Sequence, residues 1–510
     1  MSEWWKGACI YQIYPRSFLD SNHDGIGDLK GIIQKLDYIA KLGVDAVWIS
    51  PFFTSPMKDF GYDVSNYRDI DPIFGTLQDF KTLLDKAHSL DIKIIIDLVL
   101  SHTSDQHPWF HEKPDYYVWA NAKDDGSAPN NWISVFGGSA WEWHDGRQQY
   151  YLHNFLKEQP DLNFHNPEVQ REVLDIARFW LDLGVDGFRL DVVNFYFHDP
   201  KLRDNPPRDK ALGAATQFEG EDPYSTQNHV YDKSQPENLE FLEKFRALID
   251  EYPGTFTLGE SGDDHPYKLA QQYCKKNKRL HTMYNPHLCG GNTKALTSDL
   301  IREPIERFLN EAPDAYPTWA FSNHDVVRAA SRWLPESDGF SYHTDFSKML
   351  IALLGCLYGS IIMYQGEEFG LPEAKLQFEE LQDPWGQHLW PQWQGRDGCR
   401  TMIPWDKNTQ DGWLPMAHKN VDLHFGSQDT DSASPLNFSR HFLNWRKKQP
   451  ALKYGKIIFQ ETGNDQVLHF QRELKEEKID CLFNFSKQEQ SVNGHTLGAF
   501  GFYISEFTPL

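Results

Sequence analysis

The sequence predicts an α/β protein built on a (β/α)8 barrel, with a small domain inserted after the third strand and an antiparallel β domain near the C-terminus. Three observations lead there. Eight short apolar runs, each ending in polar or charged residues, alternate with longer amphipathic segments, the pattern of βα units on a parallel sheet. A stretch rich in Trp, Gly, His and Asn breaks that alternation after the third run and is too long for a βα loop. Short strand-like runs then take over after the last amphipathic segment. At about 150 residues per domain, a chain of 510 residues has room for such a three-part plan.

Taken in order, Ile10 to Tyr14 reads as the first strand and Leu29 to Leu42 as its helix; Ala46 to Ile49 and Leu77 to Leu90 follow. Ile92 to Leu98 leads into the insertion, after which Val169 to Leu183 resumes the helices. Gly187 to Leu190 and Glu237 to Ile249 form the fourth unit. Phe256 to Leu258, Thr282 to Tyr284, Thr318 to Phe321 and Ile361 to Tyr364 complete the strands, and Phe438 to Lys448 is the last barrel helix. Each run is apolar throughout because a barrel strand has helices on one face and the packed interior on the other. Lys456 to Phe459, Val467 to Arg472, Asp480 to Asn484 and Phe502 to Ile504 read as antiparallel strands. The expected divisions are 1–101 and 167–452 for the barrel, 102–166 for the insertion and 453–510 for the β domain. Two polar, Pro- and Gly-rich loops, Phe195 to Gln235 and Glu368 to Arg400, are placed to shape a site, with a disordered surface loop as the alternative for the first.

Composition narrows the function. Fifty basic against 73 acidic residues give a net charge of -23, which repels phosphate backbones and anionic lipid, so neither nucleic acid nor membrane is expected as a partner. Seventeen Trp in a chain that is 14% aromatic suit pockets for sugar-like rings, although core packing accounts for most of them. Cys9, Cys274, Cys289, Cys356, Cys399 and Cys481 show no CxxC spacing, which favours free thiols and a reducing cytoplasm; the N-terminal residues show no secretory signal. Met349 to Tyr364 is too short and too interrupted to span a bilayer and reads as a buried helix and strand.

The chemistry lies at the strand ends. Asp191 follows GFRL, Glu260 follows FTLG and Asp325 follows FSNH, and in a barrel such positions converge on one mouth. Paired carboxylates there are the machinery of glycoside hydrolysis, in which one acid protonates the leaving oxygen and another attacks or activates water. Arg189, two residues before Asp191 and on the same strand face, is placed to keep Asp191 ionised; Glu260 has no cation beside it in sequence. Near the start, Asp20, Asn22, Asp24 and Asp28 surround Gly25 in DSNHDGIGD, oxygen donors of the kind a hard cation needs, with a metal-free Asx-turn cluster as the alternative.

DLVLSH (Asp97 to His102), GFRLD (Gly187 to Asp191), TLGE (Thr257 to Glu260) and FSNHD (Phe321 to Asp325) resemble, in order and spacing, the four motif regions of the α-amylase superfamily, glycoside hydrolase family 13. EQPDLNF, GYDVS, FGGSAWEW, QGEEFG and GRDGCRTMIPW look like its oligo-1,6-glucosidase and α-glucosidase branch, and the likeness covers nearly the whole chain. The resemblance implies a retaining, exo-acting enzyme on short α-glucosides, with Asp191 as nucleophile, Glu260 as general acid/base and Asp325 as the carboxylate that holds the sugar. It implies His102 and His324 as sugar-hydroxyl binders, Tyr62 as a stacking platform, Asp63 with Arg400 as the pair closing the pocket, and Phe136 and Phe155 as aromatic walls. Core packing for the aromatics and a structural hydrogen bond for each His are the alternatives. For the DSNHDGIGD loop it implies structural Ca²⁺ or Mg²⁺, with the Ile26 carbonyl as a further ligand.

Val192, after the nucleophile, sits where the branch carries Val with α-1,6 activity and Thr or Ala with α-1,4. A Thr hydroxyl can bond a leaving-sugar hydroxyl and Val cannot. FGGSAWEW and Asn194 to Asp199 also resemble α-1,4-acting enzymes. Transglucosylases and sucrose- or trehalose-phosphate-acting enzymes of the branch remain as alternatives, although no clear basic cluster for a phosphate is visible. Non-catalytic transporter heavy chains share the barrel, but they would be expected to lack the three carboxylates kept here and to carry a membrane span.

Overall fold

The computed structural model describes residues 3–209, 222–290, 295–334, 342–409, 412–416 and 422–509. Part of the expected loop Phe195 to Gln235, residues 210–221, lies outside them. Eight parallel strands close into a barrel: β1 (Cys9–Ile13), β2 (Ala46–Ile49), β3 (Lys93–Leu98), β4 (Gly187–Leu190), β5 (Phe256–Gly259), β6 (Thr282–Tyr284), β7 (Pro317–Ala320) and β8 (Ser360–Tyr364). Each pairs with its neighbour in sequence, and β8 returns to β1. Every expected barrel strand lies within one residue of its observed ends, while the C-terminal runs Val467 to Arg472 and Asp480 to Asn484 extend two and three residues further, to Leu474 and back to Glu477.

The barrel helices are α1 (Leu29–Leu42), α2 (Leu77–Ser89), α3 (Pro167–Asp182), α4 (Asn238–Asp250), α5 (Pro266–Tyr273), α6 (Ser298–Glu311), α7 (Thr344–Cys356) and α8 (Pro435–Arg446). Their ends follow capping chemistry. The Asp28 side chain accepts from Gly31 N to start α1, and Gly43, at φ 86°, ends it in the left-handed conformation that Gly adopts without strain. α8 begins three residues before the apolar run suggests, because Ser434 caps Asn437 N and Pro435 occupies the first turn.

Alternation along the strands divides the core in two. Ile10, Ala46, Trp48, Ile95, Phe256, Leu258, Tyr284, Ala320 and Ile362 fill the barrel interior, while Tyr11, Val47, Ile94, Ile96, Phe188, Leu190 and Ile361 face the helices. That period of two positions the site. Asp97 shares the inward face of Ile95, Arg189 and Asp191 continue from Gly187, and Glu260 continues from Leu258. Register places Asp97 opposite Arg189, and Leu258 opposite Arg189 on the other side.

The insertion after β3 contains a three-stranded antiparallel sheet, Trp119–Ala120, Trp141–His144 and Gln149–Leu152, the last in the middle, around buried Trp132, Ala140, Trp141 and Leu152. These strands of two to four residues are mixed in polarity and partly exposed, so they form no apolar run of the kind that marks the barrel strands. The C-terminal sheet runs β9 (Lys456–Gln460), β10 (Val467–Leu474), β11 (Glu477–Asn484) and β12 (Phe502–Ile504), all antiparallel. A hairpin of Gln490–Val492 and His495–Leu497, absent from the expected elements, precedes β12. Leu468, Phe470, Cys481 and Phe483 join the main core, and fully buried Arg472 donates to the carbonyls of Cys356, Leu357 and Gly455 at 2.7–2.8 Å, so this sheet is packed onto the barrel. All six cysteines are free and buried. No helix among the described residues is long and apolar enough to cross a membrane.

Candidate active site

Arg189 is the centre of the site. Wholly buried on β4, its Nη1 donates to Asp97 Oδ1 at 2.9 Å and to Asp191 Oδ1 at 2.5 Å, and its Nη2 pairs with Glu260 Oε2 at 2.5 Å. Carboxylates from β3, β4 and β5 thus share one guanidinium, whose fork has donors enough to serve several oxygens. Tyr284, at the end of β6, donates its hydroxyl to Glu260 Oε1 at 2.6 Å. The Val192 backbone N donates to Glu260 Oε2 at 3.2 Å, and Val192 itself sits at φ 33°, a left-handed conformation costly for a β-branched residue.

This geometry corrects the division of charge expected from sequence. Arg189 does not serve Asp191 alone, and Glu260 does have a cation beside it. Burial pushes Asp191 well above the usual carboxylate range, with Glu260 and Asp97 adding to the rise and Arg189 opposing it. Burial likewise pushes Asp97 up to about 6 against the pull of Arg189. Asp325 behaves oppositely. Burial opposes its ionisation, yet the charges around it, His324, Arg396 and Arg400, hold it well below the usual carboxylate range. His324 is itself pushed down to about 3 by burial, so near neutral pH the two arginines carry that effect. Arg400 Nη2 lies 2.8 Å and Arg396 Nη1 3.3 Å from Asp325 Oδ1.

Asp191, Glu260, Tyr284, Asp325 and Arg396 line a pocket of about 490 Å³ at the C-terminal mouth of the barrel, and Arg189, Asp97, His324 and Arg400 are buried and take no part in its lining. Tyr62, His102, Phe136, Phe155 and Val192 line it as well. The Tyr62 ring stacks on His324 at 5.3 Å and 9°, and its hydroxyl donates to Asp97 Oδ2 at 3.1 Å. Phe136 stacks on Trp385 at 5.2 Å and meets Phe155 edge-on at 5.8 Å. His102 Nε2 lies 2.9 Å from the Tyr62 carbonyl and Nδ1 2.9 Å from Ser101 Oγ. His324 stands fully buried behind Tyr62 and Asp325. Gln12 Nε2 donates to its Nδ1 at 2.8 Å, which leaves the ring proton on Nε2, facing Asp325 Oδ2 at 3.2 Å. Both imidazoles therefore have the structural hydrogen bonds that were their alternative.

The expected pairing of Asp63 with Arg400 is not what the structure has. Asp63 is fully buried and accepts from Ser55 Oγ at 2.9 Å, Lys58 N at 2.8 Å and Asp59 N at 3.0 Å, while Arg400 Nε donates to the His324 carbonyl at 2.6 Å. The pair on the pocket wall is Asp59 with Arg396, at 2.9 Å, each four residues earlier in sequence. Asp383, which fixes Arg396 at 2.7 Å, and Tyr284 were also not anticipated. Asp97 alone left a signal, since it shares the strand face of Ile95 at the end of an apolar run.

In the DSNHDGIGD loop, Asp20 Oδ1 accepts from Asn22 N and His23 N, Asp20 Oδ2 from Gly25 N, and Asp24 Oδ1 from Ile26 N, all at 2.6–3.1 Å. Asp28 is spent on capping α1 and on Ser21, whose N and Oγ lie 3.0 and 2.8 Å from Oδ2. Among the described residues no three His, Cys, Asp or Glu side chains converge as ion ligands. The donors are nonetheless hard oxygens with lone pairs left over, which suits Ca²⁺ or Mg²⁺ as chemistry.

Residues 12–455 match the model of the α-amylase catalytic domain. A probable alpha-glucosidase of Rhizobium meliloti (strain 1021) is 51% identical over 501 residues, 95% of this chain and 90% of that protein. An oligo-1,6-glucosidase of Parageobacillus thermoglucosidasius is 35% identical over 529 residues, covering 95% and 91%. The solved structure of an alpha-glucosyl transfer enzyme, XgtA, superposes with a TM-score of 0.93 at 47% identity over 99% of each chain. With an eight-stranded barrel and carboxylates gathered at its mouth, the chain belongs to the α-amylase family, in the α-glucosidase branch of these glycoside hydrolases.

Proposed function

We propose that this enzyme is a retaining, exo-acting α-glucosidase that releases terminal glucose from short α-glucosides, with a tilt toward α-1,6 linkages. One observation carries the reading: Asp191 and Glu260 are bonded to two nitrogens of the same guanidinium. Carboxyls that close leave little room for the water an inverting enzyme places between groups about 6.5–9.5 Å apart. Asp191 attacks the anomeric carbon as Glu260 protonates the departing oxygen, giving a glucosyl ester of Asp191; Glu260 then takes a proton from the water that hydrolyses it. Asp325, kept ionised, accepts from sugar hydroxyls, and the Asp59–Arg396 pair walls off the end beyond the terminal glucose. Initial rates on maltose, isomaltose, sucrose and trehalose test the substrate class, and NMR of the glucose first released from sucrose, where the leaving group is fructose, tests the stereochemistry: α-glucose should appear first, and β-glucose first would overturn retention. Transfer of glucose to an acceptor uses the same ester, and the likeness to an alpha-glucosyl transfer enzyme favours it as a second reading. The six unpaired thiols support a reducing cytoplasm.

Because the nucleophile must be ionised and burial pushes Asp191 up, activity is present above that raised pKa and lost as pH falls through it. The acidic limb of kcat/KM should lie above the value of about 4 for an ordinary carboxylate, and Asp97→Asn, which removes a like charge, should move it lower. A limb at or below 4 would contradict the assignment.

Val192→Thr should shift preference toward maltose. One leaving-sugar hydrogen bond is worth about 0.5–1.5 kcal/mol, so the change in the isomaltose-to-maltose ratio is expected to be roughly tenfold. A wild type that strongly prefers maltose, together with an unaffected variant, would remove Val192 from the linkage question.

We also propose that Asp20, Asn22, Asp24, Asp28 and the Ile26 carbonyl hold a structural Ca²⁺ or Mg²⁺. Chelation or Asp24→Ala should then lower the melting temperature without altering substrate choice, since a bound ion stabilises only the folded state. An unchanged melting curve would assign the loop to its Asx turns alone.

A further inference from the structure

Beyond Glu260 the pocket has a charged wall that the reaction above does not use. Lys233 lines it at 3% exposure, its Nζ donating to the Tyr224 hydroxyl at 3.0 Å and lying 5.3 and 5.0 Å from the ring centres of Phe195 and Tyr224. Asp263 and Asp264, three and four residues after Glu260, line it too. Asp264 is ion-paired with Arg208, and Asp263 Oδ2 accepts from Ser234 Oγ at 2.5 Å. Asn194 ties these pieces together. Fully buried three residues after Asp191, it donates to Ser234 Oγ at 3.0 Å and the Gly262 carbonyl at 3.1 Å, and accepts from Gly262 N at 3.2 Å. The segment carrying Lys233 and the loop carrying Glu260 are thereby fixed relative to the nucleophile.

The proton donor marks the glycosidic oxygen, and Lys233, Asp263 and Asp264, on its own loop and on the segment latched to it, line the same pocket. An ammonium has three donors, and Tyr224 takes one. Among the described residues, six carboxylates line the pocket against three cations, of which Arg208 and Arg396 are paired with Asp264 and Asp59. Such a wall has donors and acceptors for hydroxyls and a field that opposes a dianion.

We propose that Lys233, Asp263 and the Arg208–Asp264 pair form a specificity site for an uncharged, hydroxyl-bearing leaving group, with Lys233 donating to and Asp263 accepting from its hydroxyls while the carboxylates reject a sugar phosphate. This rests on the α-glucosidase reading and names its leaving group.

Steady-state kinetics on maltose, maltose phosphorylated on the reducing glucose, and p-nitrophenyl α-glucoside test it. Wild type should favour maltose over its phosphate by at least about 100-fold, the size of loss that unpaired buried charge brings. In Lys233→Met the ratio of kcat/KM on maltose to that on the aryl glucoside should fall at least about fivefold, mainly through KM, with partial recovery in Lys233→Arg. Asp264→Asn, which removes one negative charge from the wall, should raise relative activity on the phosphate about tenfold. A ratio unchanged within about twofold in Lys233→Met, or a phosphate used within about tenfold of maltose by wild type, would overturn the site. If Lys233→Met does not fold, the phosphate comparison and Asp264→Asn decide. A wild type inactive on every α-glucoside would instead strike down the function itself.

Discussion

Asp191→Asn and Glu260→Gln are each expected to lower turnover by at least about 10³-fold while leaving the melting temperature near that of wild type, because each removes a bond-making or proton-transferring group and keeps the shape. The two losses should differ in kind. An Asp191→Gly enzyme lacks the nucleophile, and azide entering from that face should restore turnover with inverted stereochemistry. Glu260→Gln lacks the acid, so it should lose less on an activated leaving group such as p-nitrophenol than on maltose, since the former departs without a proton. Retention of more than about a tenth of wild-type activity by either carboxamide variant would remove that residue from its role.

Arg189→Met should be the most destabilising change in the site. It strands Asp97, Asp191 and Glu260 without their shared cation, and removal of one partner from a buried ionic cluster costs about 3–5 kcal/mol. Denaturant unfolding measures the loss. The deficit should shrink as pH falls, because Asp97 and Asp191, already pushed up by burial, then take up protons and cease to be buried charges. Arg189→Lys should recover part of the stability and little activity, since a point charge cannot hold three carboxylates as a planar fork does. A loss below about 1 kcal/mol in Arg189→Met would mean that these acids are neutral or hydrated rather than held by Arg189.

Much of the barrel was legible because its signals are local. An apolar run of three to seven residues between amphipathic segments is a strand wherever it ends up, and a period of two already commits Asp97, Arg189, Asp191 and Glu260 to the face that Ile95 and Leu258 share. Capping residues such as Asp28 and Ser434 are equally local, and Ser434 starts α8 three residues ahead of its apolar run. The strands of the insertion were not legible, being mixed in polarity and stabilised by packing around Trp132 and Trp141.

By itself, then, the sequence determined the barrel, the place of the insertion after its third strand, the four strands of the C-terminal sheet and the carboxylates at the mouth, since each depends on residues within a few positions of one another. Only the tertiary structure decided which charges meet. Asp59 and Asp63 differ by four positions, as do Arg396 and Arg400, and nothing local says which Asp reaches which Arg; the paths of two loops from opposite parts of the chain brought Asp59 to Arg396. The same holds for Arg189. Its neighbour in sequence is Asp191, but strand register carries Asp97 and Glu260 to the same guanidinium, and the protonation of the site follows from sharing one buried cation among three acids. Electrostatic energy depends on distance through space and on burial, and chain separation specifies neither.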